Sequence, residues 1–132
     1  MKLTRDQRER FDRAMEEVVR ELPEELVRCF DEIPLIAEDR PSQSMMRRLG
    51  IGRPEFLRGL HTGIPLTRRS VEHSGVLPTV ITIYRLGILM AATDKHGRLS
   101  ERALQGDIRK TILHELGHHF GFGEDELRRY GY

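Results

Sequence analysis

Apolar residues recur at helical spacing towards both ends of the chain and bunch into short β-branched runs between them. Near the start, Phe11, Met15, Val18, Val19 and Leu22 alternate with charged positions in the rhythm of an amphipathic helix. Thr4 followed by Gln7 is a capping-box pattern, so this helix is predicted to begin at Arg5. Pro23-Glu24-Glu25 interrupts it and can open a second, short helix, buried through Leu26, Val27 and Phe30. Ile33 to Glu38 reads as a strand, with Pro34 pointing to an edge or a strand start. Residues 41–53 read as a loop with one or two helical turns. Phe56, Leu57 and Leu60, leading into His61 to Thr67, read as a second short strand running into a turn, with Gly59 and Gly63 marking bends.

The clearest strand is Thr79 to Arg85, dense in β-branched residues and nearly continuous in apolar character, which predicts cover on both faces. Leu86 to Ala92 either extends this strand or forms a packing helix. Thr93 to Gly97 is rich in turn formers, and Ser100 can cap a helix running from Glu101 to about His119. Leu104, Ile108, Ile112 and Leu116 recur along that helix, with Leu113 and Phe120 widening its apolar side. At about 100° per residue, His114 and His118 project roughly opposite Leu113, Leu116 and Phe120. No internal repeat or linker divides the chain, so residues 1–132 are expected to form one domain.

Composition narrows the function mainly by exclusion. The 22 Lys and Arg against 21 Asp and Glu give a net charge of +1, so no global field recruits nucleic acid. The longest apolar stretch, Leu86 to Ala92, is far too short to span a bilayer. The single cysteine, Cys29, excludes an intrachain disulfide and suits a reducing compartment, where it is expected to be a small packing residue. The chain opens on a charged amphipathic segment rather than an apolar leader. A soluble, cytoplasmic protein is the expectation.

The chemistry gathers in the last helix. His114-Glu115-Leu116-Gly117-His118 is an HExxH motif, which places two imidazoles one turn apart on one helix face. Such a pair can share one zinc ion (Zn2+), and Glu115 can serve as general base towards water. Gly121 can end the helix in a left-handed conformation and turn the chain back, bringing either Glu124 or Asp125 to the metal as a third ligand. His119 points about 100° away from His118 and reads as a packing or supporting group. His61 and His73 are candidate ligands by chemistry alone. Neither has a metal-type spacing to a partner, so both read as ordinary polar or substrate-facing residues. Tyr130 and Tyr132 can donate to an oxyanion if the tail covers the cleft, although apolar packing of a short helix, Asp125 to Arg129, is the simpler reading.

The pattern His114-Glu115-x-x-His118-x-x-Gly121-x-x-Glu124 resembles the extended zinc motif of the metzincin clan, with Glu124 in place of the usual third histidine. The later two-thirds more closely resembles a small bacterial family of minimal zincin-like metallopeptidases. The matching pieces are Gly63 to Ser70, Thr79 to Arg85, Thr111 to Gly121, Asp125-Glu126-Leu127 and Gly131-Tyr132. The resemblance implies a compact zincin-like α+β fold in which an N-terminal helix and a small sheet back the HExxH helix. It also implies zinc on His114, His118 and Glu124 (ahead of Asp125), with Glu115 as base and a peptide or protein as substrate. In zincins an edge strand binds extended substrate. Thr79 to Arg85 is assigned that part, which puts Thr82, Tyr84, Arg85 and, from the neighbouring piece, Thr67 at the cleft margin. One departure is that only eight residues follow Glu124, too few for the methionine turn of larger metzincins. The expected function is zinc-dependent peptide hydrolysis. The alternatives are hydrolysis of another amide or ester, and a zinc- or peptide-binding module without turnover.

Overall fold

The computed structural model describes residues 2–63, 79–129, 131 and 132. Thr67, His73 and Tyr130 lie outside the described residues. The first helix, α1 (Arg5–Glu21), starts where the capping box predicts. The Thr4 hydroxyl accepts from the Gln7 N–H, and the Gln7 side chain accepts from the Thr4 N–H. Phe11, Ala14 and Val18 form its buried stripe. Pro23 sits at the N-cap of α2 (Glu24–Cys29), whose Leu26, Val27 and Cys29 pack half-buried against the core. In the segment read as loop, Ser42 caps a seven-residue helix, α3 (Gln43–Leu49), and Gly50 closes it at φ 69°. A 3-10 turn, Pro54–Phe56, follows.

Among the described residues the sheet has three strands: β1 (Leu35–Glu38), β2 (Gly59–Thr62) and β3 (Val80–Tyr84), in the order β1-β3-β2. β3 runs parallel to β1, with Ala37 opposite Ile83, and antiparallel to β2, with Leu60 opposite Thr82. The strand assigned to substrate binding from the sequence is therefore the central one. Its main-chain groups are committed on both sides, so it has no edge to offer a peptide. Its side chains agree, with Ile81, Thr82, Ile83 and Tyr84 all buried. Burial first, and the Glu38 carboxylate second, push the Tyr84 phenol above its ordinary pKa.

The apolar run after β3 forms a helix, α4 (Arg85–Ala92), rather than more strand. Arg85 begins it by turning towards α1: Nε lies 2.9 Å from Asp12 Oδ1, Nη1 lies 3.1 Å from Asp39 Oδ1, and the guanidinium sits over the Phe11 ring. Arg85 thus ties α1 to the end of β1, and the cleft-margin role expected of it passes elsewhere. The longest element, α5 (Glu101–His119), opens with the Ser100 hydroxyl accepting from the Ala103 N–H. It packs against α1, α4, β2 and β3. Leu104, Ile108 and Ile112 are fully enclosed, and Leu113 and Leu116 are buried beside them. Phe120 departs from the expected stripe, because the helix ends there and the ring is 38% exposed. A short helix, α6 (Glu124–Arg129), completes the fold. The result is an α+β architecture with a small mixed sheet. No described helix is long and apolar enough to cross a membrane.

Candidate metal centre

The end of α5 and the turn beyond it bring three donors to one point. Gly121 takes φ 89°, the left-handed conformation that the sequence predicts. The Gly121 N–H donates to His118 O at 3.0 Å and the Phe122 N–H to Gly117 O at 2.9 Å, the paired bonds of a Schellman ending. The chain then reverses into α6, whose Leu127 is 2% exposed and seats against Gly117. A Cβ at Gly117 would come within 2.3 Å of Leu127 Cδ2, so the close docking of α6 requires glycine there. This packing returns the Glu124 carboxylate to the histidines. Glu124 Oε1 lies 2.8 Å from His118 Nε2 and 3.2 Å from His114 Nε2, and the two Nε2 atoms are 3.1 Å apart. The three residues form a cluster able to hold a metal ion. Asp125, the other candidate for third ligand, is not part of it.

The proton arrangement bears directly on what fits there. His118 Nδ1 lies 3.1 Å from Phe122 O. A carbonyl only accepts, so Nδ1 carries a proton, and in the neutral ring Nε2 is left with a lone pair. That lone pair faces a carboxylate oxygen and a second imidazole nitrogen, an arrangement that repels unless a proton or cation lies among them. Donors about 2.0–2.1 Å from a tetrahedral zinc ion stand about 3.3 Å from one another. The observed separations are close to that, so two nitrogens and one carboxylate oxygen fit zinc in both type and spacing. Burial is the largest single influence on the Glu124 carboxyl and raises it, but the charges and hydrogen bonds of His114 and His118 together outweigh it and hold the pKa below its ordinary value.

Glu115 stands beside the cluster in a different environment. Its side chain is 8% exposed, and burial pushes its carboxyl above the ordinary pKa. His114 and His118, and a hydrogen bond from the His61 main-chain N–H, act in the opposite sense. That bond comes from strand β2. The Tyr84 N–H donates to Arg58 O, which sets the alternation so that the Gly59 and His61 main-chain groups face away from β3. β2 thus turns one edge towards α5. Gly59 allows the approach, since a Cβ there would meet Thr111 Cγ2 at 2.6 Å and Glu115 Cγ at 3.1 Å. The residue read as a bend is a close-contact position.

His61 and His119 complete the join between strand and helix, with His61 Nε2 3.1 Å from His119 Nδ1 and His119 only 2% exposed. The supporting part expected of His119 matches this position, whereas His61 was legible only as a polar residue because its partner lies 58 residues on. A cleft of about 370 Å³ opens beside Glu115, lined by Phe56 and Gly59, by Thr111 and His114, and by Tyr132. Thr82, Tyr84 and Arg85 do not line it. No curated protein matches the chain. Residues 30–132, which carry the sheet, the HExxH helix and the returning carboxylate, match a family of zincin-like metallopeptidases, and the chain belongs to that family.

Proposed function

We propose that the protein is a zinc-dependent peptide hydrolase in which His114, His118 and Glu124 hold the ion and Glu115 is the general base. The observation carrying this reading is the convergence of two imidazole nitrogens and one carboxylate oxygen beside a buried glutamate that is not itself one of the donors. When bound, zinc supplies Lewis acidity, polarising a carbonyl and making water acidic enough to lose a proton near neutral pH. Glu115 accepts that proton and delivers it to the departing amine. Its buried position beside the three donors suits both transfers. The His61 N–H fixes the orientation of Glu115, and the Phe122 carbonyl fixes the tautomer of His118. Among the described residues β2 ends the sheet, and the main-chain groups it turns to the cleft, apart from the His61 N–H held by Glu115, are the candidates for pairing with an extended peptide, the part earlier assigned to β3. Tyr132, which lines the cleft, is the candidate for an oxyanion donor in this reading.

Glu115→Gln removes the base and leaves all three donors. Peptide hydrolysis by zinc-loaded protein should fall by about a thousandfold or more while one zinc per chain is retained by metal analysis. Cleavage undiminished by this substitution would remove Glu115 from the mechanism. Zinc retained by wild type that cleaves no peptide, amide or ester would leave a metal-binding module.

A further inference from the structure

The cleft beside Glu115 carries a positive charge that the hydrolytic reading does not use. Lys110 stands four residues before His114, on the same face of α5 and about 6 Å nearer the helix start. It lines the cleft, is exposed, and makes no ion pair among the described residues. Its acidic neighbour is already engaged, because both Asp107 oxygens lie on Arg58 Nη1, at 3.0 and 3.2 Å. Arg58 and Asp107 neutralise each other at the cleft wall, which leaves the Lys110 ammonium without an ion-pair partner among the described residues. Across from it, Phe56 is 69% exposed and offers an apolar lip. Glu115 lines the same cleft, but its carboxylate accepts from the His61 N–H, and the charges that act on it are those of His114, His118 and Glu124 rather than Lys110.

Chain direction tells which end of a substrate meets this charge. β2 runs from Gly59 to Thr62, and Gly59 is the residue at the Lys110 cleft. A peptide pairing antiparallel along the β2 edge therefore points its C-terminal end into the cleft. Two extended residues span about 7 Å, comparable to the offset of Lys110 from His114 along α5. Building on the peptidase reading, we propose that Lys110 binds a substrate carboxylate lying one or two residues beyond the bond to be cut. The carboxylate comes either from the free C-terminus of a short peptide or from an acidic side chain. The first source makes the protein a trimming peptidase and the second an endopeptidase with acidic preference.

The test uses short, N-terminally labelled peptides, each with a free or amidated C-terminus and with Glu or Gln at the penultimate residue. Cleavage is followed with the zinc-loaded wild type, and binding by fluorescence anisotropy with zinc-loaded Glu115→Gln. At least one carboxylate form should exceed its neutral counterpart about tenfold in kcat/KM and in affinity, with the advantage shrinking as salt is raised. Lys110→Met should bring that ratio to near one and Lys110→Arg should preserve it. The free-terminus and Glu arms identify the source. Equal handling of all four forms, or a carboxylate preference that survives Lys110→Met, overturns the proposal while leaving peptide hydrolysis intact. Carboxylate-selective binding without any cleavage by wild type upholds Lys110 and overturns the hydrolase reading. Neither binding nor cleavage overturns both.

Discussion

Two adjacent strands of one small sheet carry opposite kinds of information. β3 is a run of β-branched residues with Ile81 and Ile83 fully enclosed, and it holds the sheet together by pairing on both sides. β2 is Gly-Leu-His-Thr, half-buried throughout, with no alternation to announce it. Yet β2 approaches Glu115, presents an edge to the cleft and supplies the His61 N–H. Strong hydrophobic patterning reports how deeply a segment is enclosed, and enclosure takes a strand out of reach of a substrate. The residues near the chemistry are partly open by necessity, and their pattern is correspondingly weak.

The comparison can be broken most forcefully by one substitution in each strand. Ile83→Ala in β3 should cost about 2–5 kcal/mol in denaturant unfolding, with kcat per folded molecule retained. Gly59→Ala in β2 should cost less, about 1–3 kcal/mol, because Thr111 can give way. Hydrolysis should nonetheless fall about a hundredfold as Glu115 is displaced. If the two variants lost activity and stability in the same proportion, the division of labour between the strands would be wrong. Arg85→Met sharpens the same contrast. Losing the links to Asp12 and Asp39 should lower stability by about 1–2 kcal/mol without changing kcat/KM, in keeping with a position off the cleft.

The smallest effect is a pH dependence seen in metal-free protein. The folded-state pKa of Glu115 is raised, so the folded state binds its proton more tightly than the unfolded state does. Stability is lost as pH climbs from the ordinary carboxylate value through the raised one. Glu115→Gln lacks that loss. Its melting temperature should exceed that of the wild type above this window, with the difference closing below it. An advantage that grew as pH fell would reverse the assigned direction.

The elements most legible in the sequence were those whose signals are local. The capping box at Thr4, the cap at Ser100 and the left-handed Gly121 are each decided within a few residues, and all three are as expected. The HExxH spacing belongs to the same group, whereas the turn after Gly121 left Glu124 and Asp125 both open to local reasoning, and only the family resemblance favoured Glu124. Strand order was not legible, because the pairing of β3 with both β1 and β2 depends on partners far away in the chain. Leu86 to Ala92 stayed open between helix and strand for a different reason. Leu86, Gly87, Ile88, Leu89 and Ala92 are all buried, so neither periodicity was imprinted on the segment. Lys110 shares the four-residue step of His114 and His118, yet its importance rests on Arg58 having engaged Asp107 from another element.

The notch at Gly117 has a consequence for affinity. Glu124 is the most exposed of the three donors, and what holds it in reach is the Leu127 side chain three residues later. Core packing at one leucine and ion retention at one carboxylate are therefore a single equilibrium seen from two ends. For an ion bound as proposed, a methyl group that never approaches it contributes to its dissociation constant. The residence time of the metal can be tuned in evolution by trimming or enlarging an apolar side chain, with every ligand left as it is.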